Sequence, residues 1–223
     1  MSRALFVVGT DTGVGKTVVT AGITGWLRER GVAARAIKPA QTGYPPDDDA
    51  AFVAEVCGTD DASTCLRRLE PPLAPRVAAE REGVDLSYEE LLDGCQELLN
   101  DDDVETGIVE GIGGLRVPLA GDREVIDLVA DLGLPALVVS RSGLGTLNHT
   151  ALTVAALERR DVEVRGVVLN EYTAEDVAER TNPDEVERMT GHPVGTLPPL
   201  ETIDSDSVID GVGAAIDVES LVA

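Results

Sequence analysis

Short apolar runs alternate with longer segments of helical apolar period along the whole chain. The runs are rich in β-branched residues and predict strands over residues 4–8, 34–38, 104–109, 136–140, 164–169 and 193–197. Between the first two, residues 18–30 predict a helix in which Val18, Ala21, Ile23 and Leu27 can share one face. A second helix is predicted over 50–56. Ser87-Tyr88-Glu89-Glu90 is a capping box that opens a helix to about residue 99. Residues 122–132 predict another helix, and Gly143 to His149 opens one running to residue 160. Asn182-Pro183-Asp184-Glu185 supplies a cap, a proline for the first helical position and an acid in the first turn of a helix ending at Gly191. Residues 59–83, interrupted by Pro71, Pro72 and Pro75, read as irregular, and 100–103 as a solvated acidic turn. Alternating strand and helix predicts an α/β fold: a parallel sheet covered by helices on both faces.

The stretch joining the first strand to the first helix carries the clearest chemistry. It reads Gly9-Thr10-Asp11-Thr12-Gly13-Val14-Gly15-Lys16-Thr17. Strand, glycine-rich loop, Gly-Lys-Thr and helix is the context of a phosphate-binding loop, in which backbone N–H groups and a helix N-terminus face phosphate oxygens. Lys16 would reach the terminal phosphates and the Thr17 hydroxyl would ligate Mg²⁺. The usual motif has four residues between its first glycine and the Gly-Lys pair; here Gly9 and Gly15 are separated by five, which marks a subclass.

In open α/β sheets ligands bind beyond the carboxyl ends of the strands. That edge should collect Lys16, Thr17, Lys38 at the end of the second strand, Thr42, Asp49, Glu110 with the glycines after it, and Asn170. An aspartate before the 50–56 helix serves equally as a helix cap. Two carboxylates and a hydroxyl are hard oxygen donors suited to Mg²⁺. Two ammonium groups can offset charge on a phosphoryl group and its acceptor, which is where the catalysis of phosphoryl transfer lies. The residues alone therefore predict an ATP- and Mg²⁺-dependent protein whose acceptor is open.

Charge narrows the partners. The chain has 41 Asp and Glu against 18 Lys and Arg, a net charge of −23. This argues against nucleic acid or an anionic membrane held by a basic face. Acid-rich, lysine-poor composition suits a halophilic cytoplasm, where screening shortens charge repulsion to roughly 3 Å at 1 M salt. Only two lysines are present, Lys16 and Lys38, against sixteen arginines. A chain that has shed lysine elsewhere keeps these two where an ammonium is needed. Cys57, Cys65 and Cys95 are scattered, without metal-type spacing, and read as reduced, packed thiols of a cytoplasmic protein. His149 and His192 lie far apart in sequence. No internal repeat, membrane-length apolar run or signal peptide is apparent, and residues 1–223 are expected to form one domain.

Separated motifs then point to a family. They are GTDTGVGKT at 9–17, KPAQTG at 38–43, DDA at 48–50, LEPPLAP at 69–75, VEGIGG at 109–114, LGTLNH at 144–149, VLN at 168–170 and GTLP at 195–198. Together they resemble dethiobiotin synthetase, a P-loop NTPase-type enzyme of biotin biosynthesis, over nearly the whole chain. The resemblance implies a ligase that takes 7,8-diaminopelargonate, CO₂ and MgATP to dethiobiotin, ADP and phosphate. Gly13, Val14, Gly15, Lys16, Thr17 and Val18 would hold the phosphates, and Thr17, Asp49 and Glu110 the metal. Gly111, Ile112 and Gly113 would belong to the nucleotide site. Lys38, with Lys16, would be catalytic, stabilising the carbamate and the transferred phosphoryl. Asn170 would read the adenine edge, flanked by Leu197, Pro198 and Pro199, and Thr42 would touch substrate. The resemblance also implies a homodimer with shared active sites, in which Gly145, Thr146, Leu147 and Asn148 at a helix start meet the substrate carboxylate of the partner. Arg76 stands where relatives often carry histidine, and no role is carried to it.

Other classes fit less well. A partner-switching P-loop ATPase of the positioning and partitioning type usually has a second lysine inside the loop and often a basic amphipathic tail. Here the loop has Asp11 and Thr12, and residues 203–223 contain no Lys or Arg. A cobyrinic-acid-type amide synthetase needs a glutaminase domain for which these residues leave no room. A nucleotide-binding module without chemistry leaves Lys38 and Glu110 without a purpose.

Overall fold

A computed structural model describes residues 3–223. In chain order, β1 (Arg3–Gly9) leads through the glycine loop into α1 (Lys16–Glu29), followed by β2 (Ala34–Lys38), β3 (Gln41–Thr42) and α2 (Asp49–Cys57). Next come β4 (Ser63–Cys65), β5 (Arg68–Leu69), α3 (Pro75–Glu82), α4 (Tyr88–Leu99) and β6 (Thr106–Gly114). The hairpin strands β7 (Pro118–Ala120) and β8 (Arg123–Glu124) precede α5 (Val125–Leu132), β9 (Ala136–Arg141) and α6 (Thr146–Glu158). The chain ends with β10 (Val164–Asn170), α7 (Val177–Thr190), β11 (Val194–Leu197), α8 (Ser205–Ala215) and α9 (Val218–Val222).

Seven strands pair in parallel in the order β11-β10-β9-β1-β6-β2-β4. The chain runs out to β4, returns through β6, then continues on the other side of β1 through β9 to β11. The direction of winding thus reverses around β1, whose carboxyl end carries the glycine loop, and such a switch point opens a crevice for a ligand. Alternate residues of β1 serve two cores. Phe6 and Val8 pack with Leu91, Leu128 and Val154 under α4, α5 and α6. Leu5 and Val7 pack with Val19, Ile23, Val212 and Leu221 under α1, α8 and α9. Both faces of the sheet are therefore covered, as the apolar runs predicted. Helix α1 approaches α8 closely enough that a Cβ at Gly22 would lie 2.5 Å from Val212 Cβ and 2.9 Å from the Val208 carbonyl, a fit only glycine allows without the helices moving apart.

Several elements differ from the sequence reading. Residues 59–83 are structured: β4 is the edge strand of the main sheet, and Pro75 starts α3 at its first position, where a missing N–H costs nothing. Strand β6 runs on through the glycines, because Val7 pairs with Glu110 and Gly9 with Gly114; Glu110 lies within the strand. Helix α5 starts at Val125, and the residues before it form the β7–β8 hairpin. Helix α7 begins at Val177, capped by Asp176, so that Pro183 falls inside it. Asn182 does not cap. Its buried amide donates instead to the carbonyls of Ser142 and Gly143, at 2.7 and 3.3 Å. Only half of the Ser87 capping box forms: Ser87 accepts from Glu90 N, while the Glu90 carboxylate pairs with Arg67. The acidic tail, for which no element was predicted, supplies α8 and α9.

Surface pairs such as Arg28–Asp61 at 3.0 Å and Arg188–Glu185 at 2.6 Å use arginines that are outnumbered by the acids. The remaining like charges repel in the folded state and are relieved by screening. Thermal melting should therefore shift upward between about 0.1 and about 3 M KCl, by roughly 5–10 °C, the equivalent of about 2–3 kcal/mol. A midpoint unchanged across that range would show that the charge excess is not felt by the fold.

Candidate active site

Beyond the carboxyl ends of β1, β2, β6 and β10 lies a cleft of about 810 Å³, a size typical of small-molecule sites. Gly13, Gly15, Lys16 and Thr17 form one wall and Lys38, Asp49 and Glu110 the floor; Thr42, Ile112, Gly113 and Asn170 also face it.

The loop is shaped by its glycines and by donors that hold its carbonyls. Gly13 and Gly15 have φ of 68° and 95°, the left-handed region that favours glycine. A Cβ at Gly15 would overlap the Asn170 amide. Asn170 Nδ2 donates to Val14 O at 3.1 Å, and Lys16 Nζ to Asp11 O at 2.9 Å. Arg141, at the end of β9, approaches Thr12 O at 3.5 Å. With these carbonyls engaged by side chains, and with no side chain capping α1, the amides at the helix start are left for an anion.

The floor is a compact ionic cluster. Lys38 is 4% exposed and Glu110 is 2% exposed. The ammonium contacts a carboxylate oxygen of Asp49, Glu110 Oε1 at 2.7 Å and Gly111 O at 3.3 Å. Thr17 donates its hydroxyl proton to the same Glu110 oxygen at 2.9 Å. Burial alone would lower the Lys38 pKa, but the charges of Glu110 and Asp49 outweigh it and hold the ammonium above its ordinary value. Burial likewise opposes ionisation of Asp49, yet Lys38 keeps that carboxyl below its usual range. Glu110 is pushed up by burial and by the neighbouring Asp49 charge, which Lys38 offsets only in part. Burial, followed by repulsion from Lys38, brings Lys16 down to about 8. Buried Glu110 and half-buried Asp49 thus share one ammonium, leaving negative charge to be neutralised. With the Thr17 hydroxyl they form an all-oxygen donor set, which fits Mg²⁺ together with phosphate and water oxygens.

The structure gathers most of the residues singled out from the sequence, and sets some apart. Val14 is buried beneath the loop, Val18 faces the cleft, and Gly111 presents its carbonyl to Lys38. At the start of α2, Asp48 caps the helix by accepting from Ala51 N, while Asp49, the first helical residue, turns to Lys38. Leu197 is 1% exposed and packs into the α1 core; neither it nor the exposed Pro198 and Pro199 lines the cleft. Gly145, Thr146, Leu147 and Asn148 start α6 outside the cleft of their own chain, beside Leu144, which is 97% exposed. The Thr146 side chain points inward, to Ser140 and Thr150.

Sequence reasoning missed Gln41, whose side chain accepts from Asp49 N at 3.2 Å and donates to Thr42 O at 2.8 Å, fixing the start of α2 against Lys38. Its place within KPAQTG was the available signal. It also missed Phe52, Leu73 and Ile203, the apolar side of the cleft, which come from three segments distant in sequence.

Glu110→Ala should destabilise the fold by about 3 kcal/mol, because the buried Lys38 loses one of its two counter-charges. Urea unfolding measures this. A loss under about 1 kcal/mol would mean that the cluster does not hold β2 against β6.

Comparison with known proteins follows the same lines. A family model described as an AAA domain matches residues 3–207. The chain is 57% identical over 217 residues to the ATP-dependent dethiobiotin synthetase BioD of Haloferax mediterranei, covering 97% of this chain and 93% of that one. It is 44% identical over 208 residues to the protein of the same name from Anaeromyxobacter sp. (strain K), covering 88% and 90%. Among solved structures, a ParA family ATPase from Chlorobium tepidum TLS superposes with a TM-score of 0.60 at 13% identity, over 95% of this chain and 97% of that one. A likeness at that identity concerns the fold alone.

Proposed function

The chain belongs to the family of ATP-dependent dethiobiotin synthetases, and from that membership we propose that it closes the ureido ring of dethiobiotin from 7,8-diaminopelargonate, CO₂ and ATP. It is an ATP-dependent ligase of biotin biosynthesis that uses ATP with Mg²⁺. One amino group of the diamine adds to CO₂, giving a carbamate and releasing a proton. The carbamate oxygen attacks the γ-phosphorus of ATP, forming a carbamic–phosphoric anhydride and expelling ADP. The second amino group attacks the carbonyl carbon, the C–O bond to phosphate breaks, and the cyclic urea leaves with phosphate and protons.

The single observation that carries this reading is the buried Lys38 ammonium, held by Asp49 and Glu110 on the floor of the loop's cleft. A fixed positive charge there can stabilise both the carbamate and the phosphoryl group in transfer, without reorganising as charge moves. The loop amides and Lys16 would bind the phosphates; Lys16 gives up its bond to Asp11 O to do so. Thr17, Asp49 and Glu110 would hold Mg²⁺, which supplies neutralising charge to the phosphate oxygens. Gly111, Ile112 and Gly113 would line the phosphate end and Thr42 would touch the diamine. Asn170 keeps its carbonyl oxygen for the adenine amine, and its Nδ2 must leave Val14 O to contact the ring nitrogen as well. Pro198 and Pro199 would flank the base after the segment following β11 moves toward the cleft, with Leu197 anchoring the root of that segment in the α1 core.

The start of α6 would serve a partner's cleft in a homodimer. The Leu147 and Asn148 amides at that helix end suit a carboxylate, and exposed Leu144 and Leu152 offer apolar surface for association. We read residues 1–223 as one synthetase domain acting in a salt-rich cytoplasm. None of the described helices is long and apolar enough to cross a membrane.

Incubation with ATP, Mg²⁺, bicarbonate and 7,8-diaminopelargonate in high salt should yield the cyclic urea, seen by mass spectrometry; its absence overturns the reading. Lys38→Ala should cut turnover by at least about 100-fold while leaving much of the ATP binding, and turnover within about tenfold of wild type would remove Lys38 from the chemistry. Glu110→Gln should raise the Mg²⁺ concentration needed for half-maximal rate by roughly tenfold, and an unchanged requirement would take Glu110 out of the metal site.

A further inference from the structure

A line of hydroxyl groups runs through the molecule beside the cleft without entering it. Thr10 Oγ1 donates to Ser140 Oγ at 3.1 Å; Ser140 Oγ and Thr146 Oγ1 are 2.9 Å apart, and Thr146 Oγ1 and Thr150 Oγ1 3.2 Å apart. Ser140, Thr146 and Thr150 are buried. The line begins at the first residue after β1, crosses the end of β9 and finishes in the first turns of α6. It therefore joins the root of the phosphate loop to a helix that is more than a hundred residues away in sequence.

The surroundings make this line hard to replace. Strand β9 is otherwise apolar and buried from Ala136 to Val139, so a hydroxyl at Ser140 needs partners or costs stability. Each hydroxyl donates one proton. Since Thr10 donates to Ser140, the Ser140 proton is available to Thr146 and the Thr146 proton to Thr150. Removing a middle member thus strands the groups on both sides. Thr10 is also fixed by its amide, which donates to Val139 O at 3.0 Å. The turn before α6 is anchored from the opposite side. Asn182 donates to Ser142 O and Gly143 O, and the single Ser142 Oγ proton is shared between Glu171 O at 3.0 Å and Glu179 Oε1 at 2.9 Å. With that side tethered, the start of α6 bears on the phosphate loop through the hydroxyls. None of Thr10, Ser140 or Thr146 lines the cleft, so any effect on ATP passes through the loop's position.

We propose that Ser140 and Thr146 are positioning residues: acting through Thr10, they hold the phosphate loop and the amino end of α6 as one body, so that filling either end tightens the other. The second half rests on the reading above, in which that helix end meets the anionic end of the diamine substrate. The first half does not, because it concerns ATP alone.

The experiment is an equilibrium titration of the full chain with ATP and Mg²⁺, with and without saturating 7,8-diaminopelargonate in the absence of bicarbonate. Thr146→Val keeps the shape and deletes the hydroxyl; Ser140→Ala breaks the line one step earlier. Each should weaken ATP binding roughly five- to tenfold, and the double variant should be little worse than either single one, because both cut the same line. Thr146→Ser, which restores the hydroxyl, should return the affinity to within about twofold of wild type; a merely structural role would show in melting temperature and leave the ATP dissociation constant unmoved. In wild type the diamine should tighten ATP, and this tightening should disappear in Thr146→Val. ATP affinity within about twofold of wild type in a folded Thr146→Val, or additive losses in the double variant, overturns the proposal. Should Thr146→Val not fold, Ser140→Ala carries the same readouts. A wild type that shows no tightening by the diamine overturns the linkage. Failure to form dethiobiotin, by contrast, overturns the functional reading and leaves the ATP titration standing.

Discussion

Everything at the working edge depends on how a buried ammonium is satisfied. Lys38 sits at the end of a strand interior to the sheet, where an unpaired charge would be untenable. Its partners come from two other elements: Glu110 from the adjacent strand and Asp49 from the start of α2. Register fixes the first. Ile37 pairs with Val109, so the next residue on each strand, Lys38 and Glu110, emerge together at the carboxyl end. Gln41 fixes the second by holding the Asp49 amide. The same Glu110 oxygen accepts from Thr17, which locks the phosphate loop to the floor beneath it. Fold, loop and charge balance are therefore one constraint seen from three elements.

The parallel sheet supplies what such a cluster needs. Its strands all point their carboxyl ends at one edge, and the reversal of winding at β1 leaves room there for a ligand. Packing on both faces keeps the strands rigid, so the donors that hold the loop carbonyls, Asn170 from β10 and Arg141 from β9, come from fixed positions. Braced from outside, the loop can present amides inward before any phosphate arrives. That is preorganisation in the sense that matters for phosphoryl transfer.

How much of this the sequence carried varied with the kind of signal. Strands whose both faces are buried read as apolar runs, so β1 and β9 were visible with nearly correct ends, and β2 and β10 were placed as closely although Arg35 and Arg165 interrupt them. Lys38 stood out because lysine is so scarce here. Edge structure did not read, since β4 and β5 are short and half exposed, and prolines that looked like breakers were helix starts, as at Pro75. Asn182-Pro183 misled for a related reason. It has the composition of a cap, but tertiary bonds to Ser142 and Gly143 use the amide, and Asp176 caps a longer helix. Thr146 belonged to a motif, yet nothing local could say that its hydroxyl turns inward. Leu197 read as a neighbour of the nucleotide, and in the fold its side chain packs in the core beneath α1, outside the cleft.

The choice of lysine over arginine at position 38 follows from the same geometry. Arginine is this chain's general-purpose cation, with sixteen copies, many of which pair at the surface with acids, as Arg28, Arg67 and Arg188 do. A guanidinium is planar and spreads its charge over a fork that prefers one carboxylate held edge-on. At the floor of the cleft one cation must meet two carboxylates and a backbone carbonyl from different directions, within a space closed by β2, β6 and α2. Only a compact ammonium with three divergent protons does that and still presents charge to a group arriving from above. Lys16 answers to a similar requirement. Its ammonium lies back on its own loop, on Asp11 O, and a flexible four-carbon stem lets it turn into the cleft, as the proposed phosphate role asks. The two lysines of a chain otherwise supplied with arginine thus stand where the shape of the ammonium, rather than its charge alone, is what the site uses.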